Sequence, residues 1–167
     1  MRDNIEKTLL DKISELTSLK TLVDQWKSEG KKVVFTNGVF DLVHIGHLSY
    51  LSKAAELGDK LIIGLNADSS VRRIKGDGRP INDQNSRAAL LAALFFIDAV
   101  VVFEEDTPQN LIATLLPDIL VKGADYSVEN IVGASEVIKN GGEVKTIQFV
   151  DGYSSTSIIQ KIRKQIN

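Results

Sequence analysis

Two hydrophobic rhythms alternate along the chain. Short unbroken apolar runs mark strands covered on both faces, and apolar residues returning every third or fourth position mark amphipathic helices. The runs predict five strands, at 32–36, 60–66, 99–103, 118–122 and 143–149. Helices are expected between them: Gly46 to Leu57, Ser69 to Ile74 behind an Asp68 cap, and an Asp83-capped helix to about Phe96. A helix capped by Thr107 and opened by Pro108 ends before Pro117, and two more cover Gly133–Lys139 and Ser154–Gln165. Ahead of the first strand, Ile5, Leu9, Ile13 and Leu16 fall on one helical face and predict a helix over 3–16. Thr17 or Ser18 then caps a second helix, which lines up Leu19, Leu22, Val23 and Trp26 and stops at Gly30.

Regular alternation of strand and helix implies right-handed crossovers between parallel strands. The expected fold is α/β: a Rossmann-like, doubly wound, five-stranded parallel sheet with helices on both faces. Residues 1–30 read as an N-terminal helical extension and 31–167 as the domain that carries the chemistry. The extension would pack on the sheet or meet a second copy of the chain. Ligands on such sheets bind beyond the carboxyl ends of the strands. The unusual stretches of this chain follow Thr36, Asn66, Val121 and Phe149, all at strand ends, so one composite site is expected.

Composition narrows the classes. A chain of 167 residues can bury a substantial core, and a hydrophobic share of 43% is ordinary for a globular domain. A net charge of −2 gives no reason to expect a nucleic-acid or membrane partner. With no cysteine, disulfides, thiolate catalysis and zinc–cysteine sites are excluded. No apolar run approaches the ~18 residues of a membrane span, and no signal peptide is visible. The expected location is cytoplasmic.

The two histidines of the chain, His44 and His47, lie three residues apart where a strand hands over to a helix. That spacing puts both imidazoles on one face, at a helix N-terminus that attracts anions. Gly46 between them allows a phosphate to approach the backbone, and Gly38 has the same use earlier in the turn. Zinc would need Asp41 as a third ligand, so no metal site is assigned. Lys75-Gly76-Asp77-Gly78-Arg79-Pro80 is a loop that can deliver cations. Arg72 and Arg73 could face phosphate or solvent, and Arg87 could form a structural ion pair as readily as a ligand contact. Gly152-Tyr153-Ser154-Ser155-Thr156-Ser157 opens the last helix with more hydroxyls than a simple cap needs, which suits a second anion site. The first turn lacks GxGxxG, so a dinucleotide-dependent oxidoreductase is set aside.

Asn37-Gly38-Val39-Phe40-Asp41 followed by His44-Ile45-Gly46-His47 resembles the HxGH signature of the cytidylyltransferase-like nucleotidyltransferase superfamily. Within it, the chain is most similar to the adenylyltransferase domain of ADP-heptose synthase, from about Leu16 to Ile162. The Lys75–Pro80 loop, Phe103–Gln109, Pro117–Gly123 and Asp151–Thr156 carry the likeness. It implies transfer of AMP from ATP to D-glycero-β-D-manno-heptose 1-phosphate, with pyrophosphate released by in-line attack at the α-phosphorus. His44, His47 and Lys75 would be catalytic. Asn37, Gly38, Val39, Phe40, Gly46, Lys122, Gly123, Asp125, Gly152, Ser154, Ser155 and Thr156 would join the histidines in binding the nucleotide. Asp41, Lys75 and Arg79 would meet the sugar phosphate. Mg²⁺ would arrive with the ATP, and a homodimer is expected. Cytidylyltransferases for glycerol phosphate carry an arginine where this chain has Phe149. A cytidylyltransferase for glycerol 3-phosphate or another polyol phosphate is therefore the second reading, and a catalytically dead nucleotide-binding regulator the third.

Overall fold

The computed structural model describes residues 4–124 and 130–166. Five parallel strands, β1 (Val33–Gly38), β2 (Lys60–Asn66), β3 (Ala99–Phe103), β4 (Ile119–Gly123) and β5 (Glu143–Ile147), form one sheet in the order β3-β2-β1-β4-β5. The winding moves outward from β1 through β2 to β3, then returns to the other side of β1 for β4 and β5. The switch point is therefore the β1/β4 boundary, where Val34 pairs with Ile119 and Phe35 with Leu120.

Among the described residues eight helices accompany the strands: α1 (Ile5–Leu10), α2 (Leu16–Ser28), α3 (Ile45–Ala55), α4 (Asp68–Lys75), α5 (Gln84–Ala92), α6 (Gln109–Leu115), α7 (Ala134–Lys139) and α8 (Ser155–Ile166). Because successive strand residues face opposite ways, β1 feeds two cores. Val33 and Phe35 join Leu19, Val23 and Trp26 of α2 with Leu111, Ile112 and Leu115 of α6 and Val137 of α7. Val34 joins Tyr50, Leu51 and Ala54 of α3 with Ala88, Leu91 and Ala92 of α5. Both faces of the sheet are covered, as its continuous apolar strands require.

The expected α/β fold is observed, with local corrections. The stripe over 3–16 is not one helix. α1 ends at Leu10, residues 11–12 turn, and Ile13 forms a parallel bridge to Val100 on the outer edge of β3. There Val100 N–H donates to the Lys12 carbonyl at 2.8 Å, and Ser14 N–H donates to the Val100 carbonyl at 2.9 Å. Covering a free sheet edge outweighs helical periodicity at Ile13. α2 starts at Leu16, with Glu15 at the N-cap position making no side-chain cap bond, so neither Thr17 nor Ser18 caps it. α3 begins at Ile45, with His44 as cap, and stops at Ala55.

Asp68 is the first residue of α4 rather than its cap, because its carboxylate is engaged elsewhere. Asp83 does cap α5, accepting from the N–H groups of Asn85 and Ser86. α5 stops at Ala92, not Phe96, as the chain tightens into turns that bury Ile97 and leave Phe95 91% exposed. Pro108 caps α6 instead of opening it. β5 ends at Ile147, opposite the end of its partner at Gly123, so Phe149 lies beyond the sheet.

Candidate active site at the carboxyl ends of the strands

Each strand end contributes to one cleft of about 530 Å³. The exit of β1 is the most constrained part. Phe40 takes a left-handed backbone, φ 46°, a conformation that costs a bulky residue on the order of 1–3 kcal/mol. Its neighbours hold it there. The preceding carbonyl, of Val39, accepts from Arg87 Nη1 at 2.7 Å. Arg87 is 0% exposed and also donates through Nε to the Asn82 carbonyl at 3.0 Å and through Nη2 to Asp68 Oδ1 at 2.7 Å. The sequence left this arginine open between ion pair and ligand contact. It is a buried tie joining three segments around the cleft.

Asp41 follows and is 1% exposed. Its carboxylate accepts from Arg79 Nε at 2.6 Å, from Ile81 N–H at 2.8 Å and from Asn82 N–H at 2.9 Å. Asn82 Nδ2 donates back to the Asp41 carbonyl at 2.9 Å. Burial pushes this carboxyl pKa up, but the N–H donors of Asn82 and Ile81 and the Arg79 guanidinium outweigh it and hold it below the usual value. Asp41 and Arg79 thus bind each other and anchor one end of the 75–82 loop. At the other end α4 stops at Lys75, with Gly76 and Gly78 both at φ 85°.

His44 caps α3: its Nδ1 accepts from the His47 N–H at 3.3 Å, which leaves the ring proton on Nε2. The two imidazoles stack with centroids 3.8 Å apart and planes 20° from parallel. His47 meets Phe40 edge-on at 5.2 Å. Burial lowers the pKa of His44. It lowers that of His47 to about 4, with His44 adding to the shift and the Leu42 backbone opposing it. Among the described residues His47 Nδ1 is a buried nitrogen without a hydrogen-bond partner in good geometry. Gly46 permits this arrangement, because a Cβ there would lie 3.0 Å from His44 Nδ1 and 3.3 Å from Tyr153 Cβ.

The remaining walls come from other strand ends. Lys122, at the end of β4, donates through Nζ to Asn37 Oδ1 across the switch point. Beyond β5, Phe149 packs on Tyr50 with ring centroids 5.1 Å apart, and Tyr50 Oη is 2.8 Å from Thr36 Oγ1. At the start of α8, Ser154 Oγ accepts from Ser157 N–H at 3.0 Å. Arg73 Nε donates to Asp106 Oδ1 at 2.7 Å, tying α4 to the loop after β3.

Of the residues expected to form the site, Asn37 to Asp41, His47, Lys75, Arg79, Lys122, Gly123 and Ser154 to Thr156 line the cleft together. His44, stacked on His47, and Gly46 are not among the lining residues, and Gly152 is exposed at φ 83°. Asp125 falls outside the described residues. Sequence reasoning did not place Tyr50, Asn66, Asp106 or Thr107, which also line the cleft. Asn66 was readable as the last residue of a strand, and Thr107 as part of the segment that follows one. Nothing local marks Tyr50, which reaches the cleft from the body of a helix. Among the described residues no group of three His, Asp or Glu side chains could hold a metal ion.

Comparison with known proteins fits this geometry. Residues 35–161 match the cytidylyltransferase-like family. The chain belongs to that family of nucleotidyltransferases. It is 59% identical over 140 residues to the bifunctional protein HldE of Shewanella amazonensis, covering 84% of this chain and 29% of the relative. It is 57% identical over 151 residues to the HldE of Citrifermentans bemidjiense, covering 90% of this chain and 31% of the relative. The chain therefore spans about a third of the length of these curated relatives. A crystal structure of the lipopolysaccharide core biosynthesis protein from Thermoplasma volcanium superposes with TM-score 0.59 at 32% identity, covering 75% of this chain and all of that one. Pantoate-beta-alanine ligase from Francisella tularensis shares the fold, with TM-score 0.58 at 14% identity over 92% of this chain and 77% of that one.

Proposed function

We propose that this nucleotidyltransferase moves the AMP group of ATP onto a sugar 1-phosphate, D-glycero-β-D-manno-heptose 1-phosphate, giving ADP-heptose and pyrophosphate. The observation that carries the reading is the convergence, in one cleft, of the His47 imidazole, Lys75, Lys122 and the Ser154–Thr156 turn. High identity to the HldE proteins supports the choice of nucleotide and acceptor. Phe149, where the glycerol-phosphate enzymes carry an arginine, supports it as well.

In this reading the triphosphate spans the N-termini of α3 and α8. An oxygen of the sugar phosphate attacks the α-phosphorus in line. The bond from that phosphorus to the bridging oxygen breaks, and pyrophosphate leaves with the electron pair. The attacking oxygen is already anionic, so no general base is needed, and catalysis rests on positioning and charge stabilisation. Burial disfavours the charged form of both imidazoles in the free protein. Approach of phosphate raises their pKa values and recruits a proton, which places positive charge where pyrophosphate departs. Lys75 comes in on the loop that Asp41 anchors and neutralises charge on the acceptor side.

Asp41 and Asp106, the carboxylates lining the cleft among the described residues, are engaged by Arg79 and Arg73. Mg²⁺ therefore fits this site as a partner of the ATP phosphates, whose charge it would screen, rather than as a resident ion. A homodimer working in the cytoplasm completes the proposal.

The test is pyrophosphate release from the heptose 1-phosphate with ATP and with CTP, with a His44→Ala, His47→Ala double variant as control. Release with ATP that disappears in the variant is the expected result. Release with CTP alone, or only with glycerol phosphate, would transfer the protein to the polyol-phosphate reading. Tight ATP binding without turnover on any sugar phosphate would favour the regulator.

A further inference from the structure

Asn66 ends β2 and is 5% exposed, yet it lines the cleft. A polar side chain this deeply buried normally has its hydrogen bonds satisfied. Half of this one does. Asn66 Nδ2 donates to Ser70 Oγ at 3.0 Å, and the fully buried Ser70 hydroxyl donates in turn to the Glu105 carbonyl at 3.1 Å. The relay has one direction. Glu105 can only accept there, so Ser70 must spend its proton on it, and Ser70 can then only accept from Asn66. The amide is thereby fixed with its NH₂ turned to α4. Its Oδ1 has no partner among the described residues and is the polar atom that Asn66 offers to the cleft.

The position of Asn66 decides which substrate it serves. The groups suited to the nucleotide phosphates follow β1, β4 and β5: the imidazole pair, Lys122 and the serine turn. Asn66 lies on the other side of β1, with Ile74, Lys75 and Arg79 as fellow lining residues. That side is left to the acceptor. A fixed, uncharged acceptor atom there suits a hydroxyl donor and is wasted on a phosphate oxygen, which cannot donate when ionised.

We infer that Asn66 Oδ1 is a specificity contact that accepts a hydrogen bond from a ring or side-chain hydroxyl of the acceptor sugar phosphate. The inference rests on the activity proposed above. A site built to hydrogen-bond a substrate hydroxyl rejects an analogue lacking it, because the oxygen, shut off from water by the bound acceptor, is then left unpaired.

The experiment measures kcat/KM of the full chain for a panel of monodeoxy sugar 1-phosphates at saturating ATP. Unsubstituted protein, Asn66→Ala and Ser70→Ala are compared, with the KM for ATP as reference and thermal melting as a check on folding. The unsubstituted protein should penalise loss of one hydroxyl about tenfold or more. Asn66→Ala should erase that penalty and leave the KM for ATP within about twofold. Ser70→Ala, which unlocks the amide without removing it, should erode the penalty partly, and it carries the test alone if Asn66→Ala does not fold. Retention of every penalty in Asn66→Ala, or in Ser70→Ala where only that variant folds, would overturn the inference and leave the activity standing. So would a rise in the KM for ATP equal to that for the acceptor. Absence of turnover by the unsubstituted protein on every sugar 1-phosphate would instead refute the activity, and this contact with it.

Discussion

Ser155 closes on Leu42 across 113 residues of chain: its hydroxyl donates to the Leu42 carbonyl at 3.2 Å and accepts the Leu42 N–H at 3.4 Å. One side chain thus fastens the first turn of α8 to the loop that leads into the histidine pair. The two helix N-termini that would share a triphosphate are held in register by it. Ser155→Ala should cost about 1 kcal/mol of stability and raise the KM for ATP several-fold, with a smaller effect on the acceptor KM. Urea unfolding and steady-state kinetics would check both. An equal rise in the two KM values would mean that the clamp is not specific to the nucleotide side.

Gly46→Ala is expected to damage chemistry more than folding. The added methyl meets the His44 ring at 3.0–3.1 Å, so the ring must yield by a few tenths of an ångström and its stack on His47 must loosen. A loss of kcat of about tenfold or more is expected, with thermal stability close to that of the unsubstituted protein. Kinetics beside a melting curve separate the two effects.

The depressed pKa of His47 makes stability depend on pH. In the unfolded chain the imidazole titrates near its ordinary value of 6.5, whereas in the folded protein it stays neutral down to about pH 4. Between those limits the unfolded state binds the extra proton, so stability falls as pH drops through that window and unfolding takes up a proton. Urea midpoints measured from pH 7.5 to 4 should show the decline, and His47→Gln should flatten it. The same physics predicts proton uptake when nucleotide binds at neutral pH, visible as a dependence of calorimetric heats on the ionisation enthalpy of the buffer.

Removing the Asp41 carboxylate leaves Arg79 and two backbone N–H groups without their acceptor. Asp41→Ala should destabilise the fold by about 3–5 kcal/mol, the usual cost of breaking a buried pair. In the folded fraction, proteolysis should shift to the 75–82 loop, whose anchor is lost. Arg79→Met, which leaves the carboxylate its backbone donors, should cost less stability. The ordering of the two variants in denaturant tests this account.

Much of this was legible in the sequence because the relevant signals are local. Apolar runs located all five strands, since a strand buried on both faces has few other ways to be written. The glycine and histidine spacing after β1 and the hydroxyl run that opens α8 located two corners of the cleft. What escaped depends on partners distant in the chain. Ile13 kept helical spacing but serves a sheet edge more than 80 residues away, at Val100. Arg87 looks like any arginine in a first helical turn, and only the fold brings Val39, Asn82 and Asp68 around it. Asn66 is an unremarkable strand terminus until Ser70 and Glu105 fix which way its amide faces. Phe40 carries its backbone strain with no glycine to announce it.

The stretch that pairs along β3 also bears on where this protein can be cut. The family match begins at residue 35, inside β1, yet Leu19, Val23 and Trp26 belong to one of the two cores and Lys12 to Ser14 complete a sheet edge. A fragment trimmed to the matched boundaries would keep every group that lines the cleft and lose the covering of one sheet face. Sequence likeness thus marks the chemical part of the molecule, while part of the core beneath it is supplied from upstream. Such a trimmed fragment should be recovered as aggregate, and restoring residues 11–34 should return it to solution.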